Sequence, residues 1–548
     1  SELLRAQIAA RLGQSALGEL VLPYPADRPV IVPHPVAQAS LDALPSAQAM
    51  DWGLALGRGM DIGSNNWVVS GSRTESGMPL LANDPHLGIQ MPSIWYEIGL
   101  HCEPVGQACP YNVVGASFAS APGVIIGHND RIAWGVTNLG PDVQDLYIEK
   151  VHPDDPNLYE VEGTWQPMQI VREEIHVAGE DEPVVVQVRL TRHGPIINDV
   201  VGGPEGAWTF GWQPLALRWT ALDPSTLFRA VLEIDRARNW DDFRQALSYW
   251  DVPSQNFVYA DVDGNIGYQA PGRIPIRKKG DGTMPVPGWT GEYEWVGYIP
   301  FDELPRAFNP PEGYIVTANN AVVGPDYPHF LAADWARGYR AQRIVDLILT
   351  KGQLTLEDMQ AIQGDSFLLH AQELLPYLLA VELDDARLRQ AQALLRDWDG
   401  NARSDSVGAS ILEATLVHLA EETFGDELGP HVFKEYRAAG AVLKQALARA
   451  LAQGNSTWFD DLRTPAKEGR DEILRRALEK AVEELTKTLG KDMNKWHWGR
   501  LHTATFRNQS LGSCGIGPIE SLFNRGPVGV HGTSDTVNNT GYSMNNPY

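Results

Sequence analysis

The hydrophobic period changes twice along this chain, and that alternation constrains its fold more than any other feature. From 64 to about 335 the apolar residues come in short strand-like runs, among them Asn66-Trp67-Val68-Val69, Gly123-Val124-Ile125-Ile126, Val184-Val185-Val186-Gln187-Val188 and Asn256-Phe257-Val258-Tyr259. Turn signals punctuate them. Asp263-Gly264 predicts a two-residue hairpin between Tyr259 and Tyr268. From about 340 to 490 the period becomes helical. The clearest stripe is Ile473, Leu474, Ala477, Leu478, Ala481, Val482, Leu485 and Leu489, opened by Asp471-Glu472 and closed by Gly490. From 495 onward Gly, Asn and aromatic residues return in strand-and-loop texture. Residues 1 to about 20 read as one amphipathic helix, and 21 to 50 hold six prolines, the composition of an extended linker. No internal repeat is visible. Strands, then helices, then strands again predict an α+β fold of mostly antiparallel sheet with a helical insertion.

Composition narrows the function classes. With 548 residues, 43% of them hydrophobic, the chain can build more than one core. It contains no apolar run of 18 residues, so no membrane-spanning helix is expected. Forty-four basic against 69 acidic residues give a net charge of −25, which repels phosphate backbones and makes nucleic acid a poor partner. Three cysteines exclude a disulfide scaffold and a four-cysteine zinc site. Cys102 and Cys109, seven apart with Pro104 and Gly106 between them, either close a small loop in an oxidising compartment or stay reduced. A chain that opens on Ser1 in a helical pattern, without a leader, is expected to begin inside a longer protein, and Asn545-Asn546-Pro547-Tyr548 marks no natural stop.

Several catalytic signatures are absent: His-Glu-x-x-His, the Gly-x-Ser-x-Gly elbow and the phosphate loop Gly-x-x-x-x-Gly-Lys. The glycines from Gly57 to Gly63 are spaced one residue too long for a dinucleotide fingerprint and follow no strand. Seventeen Trp and 17 Tyr could line a sugar cleft, yet no carboxylate pair accompanies them by spacing, and scattered aromatics in a chain this size are mostly core.

Chemistry concentrates at Gly63-Ser64-Asn65-Asn66-Trp67, between the Pro-rich stretch and the first good strand. A Gly-Ser bond in such a place suits backbone cleavage, in which the Ser hydroxyl attacks the preceding carbonyl and hydrolysis of the resulting ester frees a new N-terminus. The freed Ser64 carries hydroxyl and α-amine on one residue. An α-amine titrates near 7.7–8.0, so part of it is already a base at neutral pH. Gly-Ser by itself is usually only a loop dipeptide.

Here it is accompanied. Gly63 to Trp67, then Asn83-Asp84-Pro85-His86-Leu87-Gly88, then Gly127-His128-Asn129-Asp130-Arg131-Ile132-Ala133-Trp134-Gly135 resemble, in order and approximate spacing, the β chain of penicillin-amidase-type acylases. Thr137-Asn138 with Asp142-Val143-Gln144-Asp145, Thr317-Ala318-Asn319-Asn320, and Tyr339-Arg340-Ala341-Gln342-Arg343-Ile344 extend the match. The chain is therefore identified as a member of the N-terminal-nucleophile hydrolases that include penicillin, cephalosporin and acyl-homoserine-lactone acylases.

The resemblance implies a four-layer αββα fold, with residues 1–63 as the end of an α chain plus linker and 64–548 as a β chain. It divides the β chain into sheet core (64–339), helical region (340–490) and a return to the core (491–548). It implies Ser64 as nucleophile after self-cleavage and oxyanion donors in the Asn319 carboxamide and the Asn138 main-chain N–H. His86 lies near the amine, and Arg343 is the arginine holding the site, with Arg340 as the alternative. Leu87, Ile125, Ile126 and Val136 match acyl-pocket positions. Because they are aliphatic, they favour an aliphatic acyl chain. A structural calcium is implied too, with Asp142 and Asp145 as side-chain ligands, Gln144 and Gly282 as carbonyl ligands and Glu2 from the α segment; Asp334 is the acidic residue nearest a sixth position. The expected function is hydrolysis of a small-molecule amide by a periplasmic or extracellular heterodimer of the two cleaved chains. The alternative is a binding protein of the same fold that leaves Gly63–Ser64 intact.

Overall fold

The computed structural model describes residues 2–33, 63–198 and 213–540. Two antiparallel sheets stack between helices. The smaller has the order β2-β1-β12, with β1 Gly63–Val69, β2 Leu80–His86 and β12 Tyr314–Thr317. The larger runs β11-β10-β9-β6-β5-β4-β3. Its strands are β3 Trp95–His101, β4 Asn112–Phe118, β5 Ile126–Asn129, β6 Ile132–Asn138, β9 Gln255–Asp261, β10 Ile266–Gln269 and β11 Arg306–Phe308. A further pairing, β7 Gln144–Ile148 with β8 Leu215–Trp219, lies beyond β6 in the chain.

The layers follow from which faces are apolar. Val68 and Ile315 of the smaller sheet meet Val258, Ala260, Ile266 and Tyr268 of the larger. Helices α2 Leu227–Asp235 and α3 Trp240–Leu247 cover the other face of the larger sheet, setting Val231, Ile234 and Phe243 on Val113, Trp134, Phe257 and Tyr259. Helices α4 Tyr339–Leu349 and α5 Leu356–Gln363 cover the smaller sheet, with Ile344, Ile348, Met359 and Ile362 on Trp67, Val69 and Val316. This is the expected αββα stack. Strand β1 is buried along its whole length because both of its faces are covered.

The helical insertion builds its own core from α6 Leu369–Ala380, α7 Ala386–Arg396, α8 Val407–Ala438, α9 Gly440–Gln453 and α10 Arg470–Leu489. All eight residues of the α10 stripe are buried. Helix α1, Glu2–Leu20, joins this body through Leu4, Ile8 and Leu20, and β7–β8 through Leu3 and Ala6. It is not the single continuous helix expected, since Gly13 breaks it at φ 85. Past α1 the chain extends, and the N–H groups of Ile31 and Val32 donate to Ala321 and Val322 O. The rest of the Pro-rich stretch and the glycines at 57 and 59 lie outside the described residues.

Two local expectations resolve differently or more fully. The Asp263-Gly264 turn is wider than two residues, because Ala260 pairs with Ile266 and the Asp261 carboxylate accepts the N–H groups of Asp263 (3.0 Å) and Asn265 (2.9 Å). That carboxylate does the work that a tight mirror-image turn would otherwise do. Cys102 and Cys109 are joined as a disulfide, and Cys514 is exposed and free. Among the described residues no helix is long and apolar enough to cross a membrane.

Asp235, at the end of α2, is fully buried and accepts the Val124 N–H at 3.0 Å. Burial pushes its carboxyl up to about 7, the Val124 hydrogen bond opposing this in part. An acid whose pKa is higher folded than unfolded keeps its proton longer in the folded state, so stability falls as pH rises from about 4 to 7. Asp235→Asn retains the acceptor and removes the charge. We expect urea denaturation to show the variant about 3–4 kcal/mol more stable than the parent at pH 8, with little difference below pH 4.5. Equal gains at both pH values would show that the carboxyl does not ionise in this window.

Candidate active site

Ser64 is the second residue of β1, opposite Pro85 of β2, and is 6% exposed. Three groups from distant parts of the chain converge on its backbone and hydroxyl. The Ser64 N–H donates to Asn319 Oδ1 at 2.8 Å. The Ser64 carbonyl accepts from Arg340 Nη1 at 2.9 Å. The Asn138 main-chain N–H reaches Ser64 Oγ at 3.4 Å.

Asn319 follows β12 with φ 61, a left-handed conformation that asparagine tolerates better than most residues. Its main-chain carbonyl accepts the Ala336 N–H, and its Nδ2 donates to Asn138 O at 2.9 Å, leaving the second N–H of that amide for another acceptor. Asn138 N–H and Asn319 Nδ2 thus lie together beside Ser64 Oγ, an arrangement able to receive an oxyanion.

The arginine at this site is Arg340, which corrects the expectation for Arg343. Arg340 lies in the first turn of α4, and its guanidinium donates to Ser64 O, to Asn65 Oδ1 (2.7 Å) and to Asn319 Oδ1 (3.0 Å). Three residues further on, the helix has turned roughly 300°. Arg343 faces Asp365 instead, in a two-pronged pair at 2.9 and 2.7 Å. Burial lowers Arg340 to about 10, so it stays charged at neutral pH. The same guanidinium explains Gly63, where a Cβ would stand 2.8 Å from Arg340 Nη2 and 2.8 Å from Asn319 Oδ1.

His86 ends β2, paired with Gly63 in the ladder. Its Nε2 is 3.0 Å from Asp84 Oδ2 and 3.2 Å from Asn65 Nδ2. Burial lowers its pKa, Asp84 pulling it back and the Arg340 charge lowering it further. The ring is therefore neutral near pH 7 and adjoins the site through Asn65.

A motif residue to which the sequence assigned no role aligns the two sheets. Asn83 of β2 accepts the Val136 N–H at 2.6 Å and donates to Val136 O at 3.0 Å, fixing β6 and hence the Asn138 N–H against β1. Glycine at 135 follows, since a Cβ there would come within 2.5 Å of Asn83 Oδ1. Beside it runs a directed chain of buried bonds from Asn256 Nδ2 to Thr137 Oγ1, on to Thr317 Oγ1 and finally to Asn66 Oδ1.

The acyl-pocket positions divide. Leu87 is half-buried; Ile125 and Ile126 are half-buried against the core under α2 and α3, and Ile126 also lines a groove of about 580 Å³ with Gly99, Val114 and Ala116. Val136 is 8% exposed and belongs to the core under α2 and α3 with Trp134, because alternate residues of β6 face the helices. Its side chain is taken up in packing.

The expected calcium ligands also come together, but around a guanidinium. Arg277 Nε lies 3.0 and 2.8 Å from the two Asp145 oxygens, and its Nη2 is 2.7 Å from both Asp142 Oδ1 and Asp145 Oδ1. Gly282 closes on the same group, a Cβ there standing 2.3 Å from Arg277 Nη2 and 2.5 Å from Asp145 Oδ1. Glu2 is near enough for its charge to act on Arg277, Gln144 starts β7 opposite Trp219, and Asp334 pairs with Arg5. Calcium asks for six to eight oxygens. Among the described residues no three acidic or imidazole groups gather so as to hold a metal ion. As arranged, the Asp142 and Asp145 carboxylates are paired with Arg277.

The penicillin amidase family model matches residues 1–548. An acyl-homoserine lactone acylase QuiP of Pseudomonas aeruginosa is 32% identical over 515 residues, 87% of this chain and 59% of its own length. Penicillin acylase 2 proenzyme of Pseudomonas sp. is 34% identical over 384 residues, 68% of this chain and 46% of its own. A thermostable penicillin G acylase from Alcaligenes faecalis superposes with a TM-score of 0.66 at 25% identity, covering 86% of this chain and 87% of that one. This chain thus spans about three fifths of the QuiP relatives' length.

Proposed function

The chain belongs to the penicillin amidase family, and from that premise we propose that it is an amide hydrolase whose nucleophile is Ser64, freed by cutting its own Gly63–Ser64 bond. The observation that carries this reading is the convergence on one serine of Asn319 Oδ1 at its nitrogen, Arg340 at its carbonyl and the Asn138 N–H at its hydroxyl. In the first stage Ser64 Oγ adds to the Gly63 carbonyl, its proton passes to the departing amide nitrogen, and the acyl group moves from nitrogen to oxygen. Water then hydrolyses that ester, releasing the Gly63 carboxylate and leaving Ser64 with a free amine.

In the second stage the amine serves as base. It takes the Oγ proton as Oγ attacks the carbonyl of an N-acyl substrate, and it returns the proton to the leaving amine. Asn319 Oδ1, accepting from the Ser64 nitrogen, directs the nitrogen lone pair towards Oγ. The negative oxygen of the tetrahedral intermediate is met by the Asn138 N–H and the second N–H of Asn319 Nδ2. Deacylation repeats the addition with water. The half-buried Leu87, next to His86 in the chain, supports an aliphatic acyl group. The relatives' printed names, homoserine-lactone acylase and penicillin acylase, support a small N-acylated amine as substrate. A Cys102–Cys109 disulfide supports an oxidising compartment, periplasmic or extracellular.

Denaturing mass analysis of the parent beside Ser64→Ala is the test. We expect products of 63 and 485 residues (548 − 63) from the parent alone, and amidase activity in the parent alone. Intact chains in both would support a binding protein of this fold. Amide hydrolysis by Ser64→Ala would remove the nucleophile assignment.

A further inference from the structure

Asn65, next to the proposed nucleophile, has no solvent exposure and no spare hydrogen-bonding group. Its Oδ1 accepts from Arg340 Nη1 at 2.7 Å. One N–H of its Nδ2 goes to the main-chain carbonyl of Val537 at 2.8 Å, and the other faces His86 Nε2 (3.2 Å) and Asp84 Oδ2 (3.5 Å). A carboxamide engaged on every side cannot rotate without stranding a buried partner.

Its four neighbours belong to three different elements. Arg340 begins α4. Asp84 and His86 end β2. Val537 lies in a strap, residues 532–538, that is tied to the helical body: Gly532 N–H donates to Ala402 O (2.7 Å), Asn538 N–H to Asp365 O (2.9 Å), and Asp535 pairs with Lys444 of α9. Arg340 in turn meets both Ser64 O and Asn319 Oδ1, and Asn319 Oδ1 meets the Ser64 nitrogen. Buried hydrogen bonds therefore run without a gap from the strap, through Asn65 and Arg340, to both main-chain groups of Ser64.

We infer that Asn65 is a positioning residue: it fixes the Arg340 fork, and through it the rotation of the Asn319 carboxamide, so that Oδ1 faces the Ser64 nitrogen and Nδ2 faces the oxyanion. Without Asn65 Oδ1, one Arg340 N–H loses its acceptor and the guanidinium can swing away from Ser64 O. Asn319 Oδ1 and Nδ2 are then no longer held apart in their two tasks. A misplacement of about 1 Å at such a site costs on the order of 10²-fold in rate. The role acts on chemistry and not on substrate affinity, since Asn65 faces α4 and the strap.

The inference rests on the proposed function, and the experiment separates the two. A parent that neither cuts itself nor hydrolyses an N-acyl amide, or a Ser64→Ala variant that does, defeats the functional reading. In an active parent, Asn65→Ala is expected to lower kcat by about 30- to 100-fold with KM for the same substrate within threefold. The cycle with Arg340→Lys decides the route. If Asn65 acts through Arg340, the double variant loses little more than the worse single variant, whereas independent roles multiply. Asn65→Asp, which keeps an oxygen facing Arg340, is expected to retain a kcat within about tenfold of the parent, a comparison that stands even if the alanine variant does not fold. An Asn65→Ala kcat within about threefold of the parent, a loss confined to KM, multiplicative effects in the cycle, or an aspartate variant more than about tenfold below the parent would each overturn the assignment.

Discussion

Replacing Asn319 by alanine is expected to lower kcat by about 10²–10³-fold, the loss seen when one preorganised oxyanion donor is removed. The side chain has two tasks. Its Oδ1 accepts from the Ser64 nitrogen at 2.8 Å and from Arg340 at 3.0 Å, while its Nδ2, donating to Asn138 O at 2.9 Å, has a second N–H to offer the reacting oxygen. Alanine abolishes both and leaves the buried Arg340 with one acceptor fewer. Because the oxyanion is absent from the bound substrate and forms only in the tetrahedral intermediate and the transition states beside it, KM should move little. The measurement is steady-state hydrolysis of an N-acyl amide by cut enzyme, with the rate of Gly63–Ser64 cleavage followed in parallel. A loss below about threefold in kcat would assign the oxyanion to another donor.

Arg277→Leu is expected to destabilise the fold by about 3–5 kcal/mol, the cost of breaking a buried ion pair by removing one partner. The Arg277 and Asp145 side chains are each 4% exposed. Burial works against the charge on Arg277, but Asp145 and Asp142 more than offset it, and the guanidinium is held above its ordinary value. Asp142 is pushed up by burial despite Arg277, with the carboxylates of Asp145, Asp281 and Asp334 adding to the rise, so the cluster is already short of positive charge. The Trp295 indole N–H on Asp145 at 2.6 Å cannot supply it. Urea midpoints of parent and variant give the number. A difference under 1 kcal/mol would show that another cation neutralises the pair, and recovery of the variant with added calcium would identify one.

Much of this architecture could be read from periodicity. The α10 stripe, the run of short strands before Asn320 and the return to loops after 490 each reflect burial on one face, which is a local property of sequence. Ser64, Asn138 and Asn319 could be named because they stand inside motifs, and the motifs keep their order. What could not be read depends on distance and rotation. Arg340 and Arg343 lie three residues apart in one motif, and only the seating of α4 decides which of them meets β1. Asn83 and Asn65 stand inside the same motifs, but their motifs give them no task; their partners, Val136 and Val537, lie 53 and 472 positions away. Asp142 and Asp145 present the same carboxylates to a metal ion or a guanidinium, and the choice rests on Arg277, 132 residues beyond Asp145. The Asp263-Gly264 turn shows the same limit in miniature, its width being decided by a carboxylate two residues before it.

Helix α1 and the extension after it are fastened into cores they did not build. Leu4, Ile8 and Leu20 sit among the helices of the insertion, Tyr436 donates to Leu20 O, Trp458 to Glu19, and Ile31 and Val32 lie in the inter-sheet core. For a chain cut after Gly63, this turns a unimolecular folding reaction into a bimolecular one that runs easily in one direction only. An intact precursor would fold with both pieces at the high effective concentration of a single polypeptide. Once nicked and unfolded, the pieces must find each other by diffusion, so recovery would depend on protein concentration and compete with aggregation. The mature molecule would then owe its persistence to a slow unfolding rate, having given up the connection through which it first folded.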